Sequence, residues 1–146
     1  MLRFNKKTEY ALLAIEHMVL KSAATPNNGV VSSVREISES YHIPFPVLAK
    51  VMQRLAGRGL IKATQGIKGG YQLAKQAHDI SLADLVEVFD GPLAVAECFK
   101  KERISCPQWS DCTIKNPFML LNQKIQKLLT ETTIADLTLK HEGRIS

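Results

Sequence analysis

The sequence predicts a mainly α-helical fold that carries one small β-hairpin and continues into a long C-terminal helix. Three observations lead there. Apolar residues recur at three- and four-residue intervals through most of the first 93 positions. A glycine-rich run at 66–70 separates two short strand-like pieces. After position 116 a second apolar row returns at helical spacing. With 146 residues, 45% of them hydrophobic, the chain can build one ordinary domain with its own core and a small appendage.

In chain order, Thr8 is the expected N-cap of a first helix running to about Lys21, with Leu12, Ile15 and Val19, joined by Ala11 and Met18, on its apolar side. The turn cluster TPNNG at 25–29 ends it. Ser33, with Glu36 three residues on, reads as a capping box opening a short helix through Ile37 to Tyr41. His42 and Ile43 form the next turn. Pro44 or Pro46 then opens a third helix, since a proline in the first turn forfeits no needed N–H, and Leu48, Val51, Met52 and Leu55 supply its buried stripe. Gly57 to Gly59 closes it. Leu60–Thr64 and Tyr71–Leu73 are the strands of the hairpin. The segment from Ser81 to Gly91-Pro92 is an amphipathic helix with a Ser81/Asp84 capping box. Residues 94–115 show no sustained period. Asn116-Pro117 begins the long helix, in which Phe118, Leu121, Ile125 and Leu128 recur at three, four and three residues, the seam spacing of a helix that lies along a partner. ETTIADLTLK is a short final segment and HEGRIS a tail.

Charge separates the halves. Residues 1–75 carry 11 Lys and Arg against 4 Glu, a net of +7, while residues 76–146 carry 8 against 10 acids, a net of −2. A basic half containing two short helices joined by a tight turn, followed by a lysine-bearing hairpin, predicts a winged helix-turn-helix that binds double-stranded DNA. The domains expected are 1–93 for DNA binding, 94–115 as a cysteine loop, 116–138 as dimerisation helix and end segment, and 139–146 as a flexible tail. There is no apolar run of membrane-spanning length and no apolar leader at the N-terminus, so a cytoplasmic protein without membrane contact is expected.

All three cysteines, Cys98, Cys106 and Cys112, fall within fifteen positions in the spacing C-x7-C-x5-C. Small buried thiols would be scattered over several core elements. In a reducing compartment three clustered thiols suit a soft metal or redox centre better than disulfides. Structural zinc sites usually contain a close C-x2-4-C pair, which this chain lacks, although three thiols and one further ligand leave zinc as a competitor. Thiols that respond directly to oxidation, without a metal, are the other alternative. No enzyme is expected: His17, His42, His78 and His141 all lie away from the cysteines in sequence, and nothing suggests a Cys-His pair.

The segments TEYALLAI, VREISESYHIPFPVLAKVMQRLAGRGLI, GIKGGYQLAK and ISLADLVEVFDG, together with the cysteine loop, resemble the Rrf2 family of bacterial winged-helix regulators, which includes IscR-, NsrR- and RirA-like members. The resemblance covers nearly the whole chain. It implies a homodimer with crossing C-terminal helices, a recognition helix in the major groove and a wing beside it. It also implies an iron-sulfur cluster, 2Fe-2S or 4Fe-4S, on Cys98, Cys106 and Cys112, through which iron, nitric oxide or redox state is sensed. In IscR-like members a histidine follows the last cysteine by three residues, where this chain has Lys115. In NsrR-like members the fourth ligand is a carboxylate from the first helix of the other subunit, and the matching residue is Glu9. Arg35, Pro46, Val47, Lys50 and Arg58, with Lys68, Gly69, Gly70 and Tyr71 of the wing, are the expected DNA contacts. Ala49 stands where IscR-like proteins have a glutamate, so the base preference governed by that acid does not carry over.

Overall fold

The computed structural model describes residues 3–25, 29–67, 69–95 and 107–142, the last four by backbone only. Six helices and one hairpin follow one another: α1 (Lys6–Ala24), α2 (Val34–Tyr41), α3 (Phe45–Gly57), β1 (Ile61–Thr64), β2 (Gly70–Leu73), a single 3-10 turn at Ala77–Asp79, α4 (Leu82–Asp90), α5 (Lys115–Glu131) and α6 (Ile134–Glu142). None of the helices is long and apolar enough to cross a membrane.

The core forms where the apolar faces of α1, α2, α3 and α4 meet. Ala11, Ala14, Ile15 and Met18 of α1, Ile37 of α2, Leu48, Val51, Met52 and Leu55 of α3, and Leu85 and Val88 of α4 are buried in one cluster, together with Ile61, Ile80 and Ile134. Each large aliphatic side chain removed from water in this way stabilises the fold by about 1.5–3 kcal/mol before conformational entropy is subtracted. The α3 stripe is the one the periodicity predicts. On α1 the buried face is instead Thr8, Ala11, Ala14, Ile15 and Met18, with Leu12 and Val19 only half-buried.

A long-range contact shifts that face. Asn5, not Thr8, caps α1, its side-chain oxygen accepting from the backbone N–H groups of Lys7 at 2.7 Å and Thr8 at 3.2 Å. Thr8 is fully buried one turn later. Its hydroxyl donates to Asp90 Oδ2 at 2.5 Å, while the Asn5 N–H donates to both Asp90 oxygens at 3.1 and 3.2 Å. A carboxylate from the last residue of α4 therefore sits at the positive end of the α1 dipole, where an anion is favoured.

The two capping boxes expected from sequence come out differently. At α4 both halves form: the Asp84 N–H donates to Ser81 Oγ at 3.1 Å, and the Ser81 N–H donates to Asp84 Oδ2 at 3.0 Å. At α2 only the first half forms, with the Glu36 N–H donating to Ser33 Oγ at 3.0 Å. The Glu36 carboxylate turns away to accept from Lys21 Nζ at 2.7 and 3.0 Å, because an ammonium offers more to a half-buried carboxylate than one amide N–H does.

β1 and β2 pair antiparallel in the register Ile61↔Leu73 to Thr64↔Gly70. β2 is tied on its other side to the segment before α2, with Ser32 N–H donating to Tyr71 O at 2.9 Å and Tyr71 N–H to Ser32 O at 2.8 Å. The C-terminal part of the chain divides in two. α5 packs against α4 and leaves most of its apolar row exposed. α6 returns to the main body against α1 and the 77–79 turn, placing Ile134 in the core, and its backbone continues to Glu142, into the stretch that the sequence marks as a tail.

Candidate functional site

α2 ends in a left-handed residue, His42 at φ 54°, the one non-glycine with positive φ among the described residues. The chain then reverses sharply, with Ile43 N–H donating to Ser38 O at 3.0 Å and Ser38 Oγ donating to Ile43 O at 2.6 Å. This turn fixes α2 against α3. Pro44 precedes α3 at its cap position, Pro46 lies in the first turn, and no side chain caps this end.

The face of α3 turned away from the core carries Phe45, Pro46, Lys50 and Gln53, all exposed, with Val47 and Ala49 half-buried. Arg35 on α2 and Arg58 just after α3 are exposed as well. Among the described residues, Arg35, Lys50, Arg58 and Lys62 of β1 have no carboxylate partner, whereas Lys6 is paired with Glu9 at 2.8 Å and Lys21 with Glu36 at 2.7 Å. From Ser40 to His78 the chain contains no Asp or Glu and six Lys or Arg. That acid-free tract spans the second half of the helix-turn-helix and the whole wing, and it is a sharper sequence signal than the charge of the half-chain. Arg54 is the exception among the six, for its guanidinium donates to Val88 O at 2.6 Å and lies 5.1 Å from the Phe89 ring, tying α3 to α4.

In the wing, Lys68 lies outside the described residues. The close approaches permitted by Gly69 and Gly70 are to the chain itself. A Cβ on Gly70 would fall 2.5 Å from Ser32 O, and one on Gly69 would fall 2.9 Å from both Gly66 O and Thr64 O. Tyr71 is half-buried against the core. These three residues shape and seat the hairpin. Its fully exposed tip is Ile67, next to Gly66 at φ +125°, a position that sequence reasoning passed over.

Of the cysteines, Cys98 and Cys106 lie outside the described residues. Cys112 is an unbridged, half-buried thiol three residues before α5. Among the described residues no three His, Cys, Asp or Glu side chains converge on a point that could hold a metal ion. Lys115, at the position where IscR-like members have histidine, folds back over the preceding turn. Its ammonium donates to Trp109 O at 3.1 Å and sits 4.7 Å from the indole centroid, so Trp109 anchors this end of the loop. Glu9 is half-buried in the first turn of α1, with 46% of its side chain open to solvent. Hydrogen bonding from Lys6, reinforced by the charge of that ammonium, lowers the Glu9 pKa and keeps it an anion.

The chain matches the family model described as Rrf2, iron-dependent transcriptional regulator, over residues 4–140. It is similar to the HTH-type transcriptional regulator NsrR of Shouchella clausii, with 28% identity over 135 residues covering 92% of this chain and 87% of that protein. Two solved structures share the fold. CymR, the global cysteine regulator of B. subtilis, superposes with a TM-score of 0.73 at 21% identity, covering 96% of this chain and 98% of that one. IscR of T. potens superposes with a TM-score of 0.72 at 23% identity, covering 99% and 93%.

Proposed function

The chain belongs to the Rrf2 family of iron-dependent transcriptional regulators, and on that premise we propose that it works as a homodimer whose affinity for its DNA operator is set by an iron-sulfur cluster in the 98–112 loop. DNA binding is carried by one observation above the rest, Lys50, Arg58 and Lys62, without a carboxylate partner among the described residues, on an acid-free tract that holds both α3 and the wing, with Arg35 exposed on α2 before it. In this reading α3 enters the major groove with Pro46, Val47 and Lys50, while Arg35, Arg58, Lys62 and Lys68 meet phosphates, and Gly69, Gly70 and Tyr71 hold the wing in place beside them.

The donor set fits a cluster. Three thiols within fifteen positions are soft ligands for iron, and Cys112, half-buried and unbridged, keeps its sulfur available. Cys98, Cys106 and Cys112 would hold the cluster, and Glu9 of the partner subunit would supply a hard oxygen donor, the weakest member of such a set. When bound, the cluster would supply a centre sensitive to oxidants and nitric oxide. This chain's residues do the rest: Lys6 keeps Glu9 ionised, Lys115 and Trp109 fix the loop end, and α5 connects that end to α4.

Protein purified without oxygen should show broad visible absorption, with iron and acid-labile sulfide present, and Cys112→Ser should lose them. Cluster-loaded and cluster-free protein should differ in operator affinity at fixed salt, and equal affinities would remove the sensing role. A Lys50→Ala protein should bind more weakly, and Arg58→Ala should reduce the dependence of binding on salt by about one phosphate's worth.

A second reading is favoured by the fourth position. Lys115 cannot serve as an imidazole ligand, and Glu9 already has Lys6. A cluster-free regulator with a thiol redox switch would need no such donor, whereas a zinc site on the same cysteines would still take one further ligand. Colourless protein containing zinc, or containing no metal after anaerobic reconstitution, would establish this reading in place of the first.

A further inference from the structure

The first turn of α3 presents an unusual surface for a helix that reads bases. Pro44, Phe45, Pro46 and Val47 follow one another without a polar side chain, and the two prolines also lack an N–H. Pro44 and Pro46 are exposed, and 48% of Phe45 is open to solvent although the core begins three residues later at Leu48. Helical spacing puts Phe45, Ala49 and Gln53 in one row beside the row of Pro46 and Lys50. The small side chain of Ala49 leaves the phenyl ring without a flanking group on that row. The exposed face is therefore apolar at its N-terminal end and polar one turn later at Lys50 and Gln53, within a tract free of acids.

We propose that Phe45 is a specificity-determining residue that reads the 5-methyl group of a thymine in the major groove. The inference rests on the DNA-binding reading above and adds to it the class of base recognised at the N-terminal end of α3. In the major groove the methyl of thymine is the one apolar feature of the base-pair edges, and phenylalanine is among the side chains that contact it. Neither Phe45 nor its two proline neighbours offers a side-chain donor or acceptor to a guanine or adenine edge. The surrounding lysines and arginines bring DNA, rather than an acidic or apolar protein surface, to this face. Covering the ring with the methyl removes apolar surface from water on both partners, which is the source of the preference.

The test uses the full-length protein purified without oxygen. A binding site is first selected from a pool of random duplexes, and each thymine of the enriched site is then replaced by deoxyuridine, which pairs identically but lacks the methyl group. One such replacement in each half-site should weaken the wild-type protein about fourfold per half-site, the effect of one buried methyl-sized group, and so about fifteenfold for the dimer. Phe45→Ala should bind the parent duplex more weakly by a similar factor and be indifferent to that same replacement, so that the two losses do not add. Phe45→Leu, which keeps an apolar side chain, should retain the thymine dependence, and Lys50→Ala should retain it while binding more weakly overall. The proposal is overturned if deoxyuridine weakens wild-type and Phe45→Ala protein equally at every position, or if the selected site has no thymine under α3. Failure of the wild-type protein to enrich any duplex would overturn the DNA-binding reading itself, and the proposal with it.

Discussion

α3 and α5 carry apolar rows of the same kind and meet opposite fates. On α3, Leu48, Val51, Met52 and Leu55 are at most 1% exposed, covered by α1, α2 and α4. On α5, Phe118, Leu121 and Leu128 are 38%, 45% and 62% exposed, and only Leu129, on the side facing α4, is buried. Periodicity thus marks a face to be covered without marking what covers it. For α3 the cover is the chain's own; for α5 a second copy of the same helix is the cover we propose.

The comparison breaks most visibly through truncation. Leu55→Ala should cost about 2–5 kcal/mol in chemical denaturation, whereas Leu128→Ala, measured at a concentration where the protein is monomeric, should cost less than about 1 kcal/mol. Similar losses at the two sites would show that α5 is buried within its own chain. The next effect is on assembly. Replacing Leu121 and Leu128 together by Glu should give a monomer in sedimentation velocity with helical circular dichroism retained, and a persistent dimer would move the interface elsewhere.

A third measurement contrasts apolar burial with polar anchoring. Thr8→Val removes a buried hydroxyl from Asp90 and leaves the shape almost unchanged, so a loss of about 1–3 kcal/mol would be due to the hydrogen bond to that carboxylate. No loss would show that the Asn5 N–H alone satisfies Asp90. The smallest effect concerns pH. Partial burial of Glu36 raises its pKa, but hydrogen bonding and charge from Lys21, with His17 behind them, outweigh this and hold it below the ordinary 4.5. Its contribution to stability is therefore present above that value and fades as pH falls through the lower folded-state value. Lys21→Met should therefore lower stability at neutral pH, where this contribution is fully present, change little below the folded-state value, and so flatten the acid limb of the stability curve.

Much of this architecture is legible in the sequence because it depends on neighbours in sequence. The Ser81/Asp84 box and the hairpin turn use partners within a few residues, and the α3 stripe is marked by its own local spacing, whatever covers it. The misreadings all have distant partners. Thr8 looks like a helix cap, yet its hydroxyl is taken by Asp90, 82 residues away. Glu36 completes no box because Lys21, on another helix, binds it first. The close packing of Gly70 on Ser32, 38 residues earlier, is likewise invisible in the local sequence. At the candidate site the basic character was visible from composition, while the exposure of Phe45 and Ile67 required knowing which faces the core consumes.

The attachment of α5 is unequal at its two ends. Its C-terminal end is clamped: Leu82 N–H donates to Thr132 O at 2.7 Å, Ile134 N–H donates to Ile80 O at 2.9 Å, and Ile134 is buried. Its N-terminal end, beside Cys112, is held by its own turn through Lys115 and Trp109. A rod of 17 residues spans about 25 Å, and α5 is also tied at mid-length, where Val95 N–H donates to Asn122 Oδ1 at 3.0 Å, so it acts as a lever rooted at the 132–134 joint, steadied at Asn122 and reaching to the turn beside Cys112. A small rotation about the root sweeps the tip through a large arc. Conversely, a force applied at the tip is passed along α5 to the 132–134 joint, where the chain passes back into the domain that holds α3.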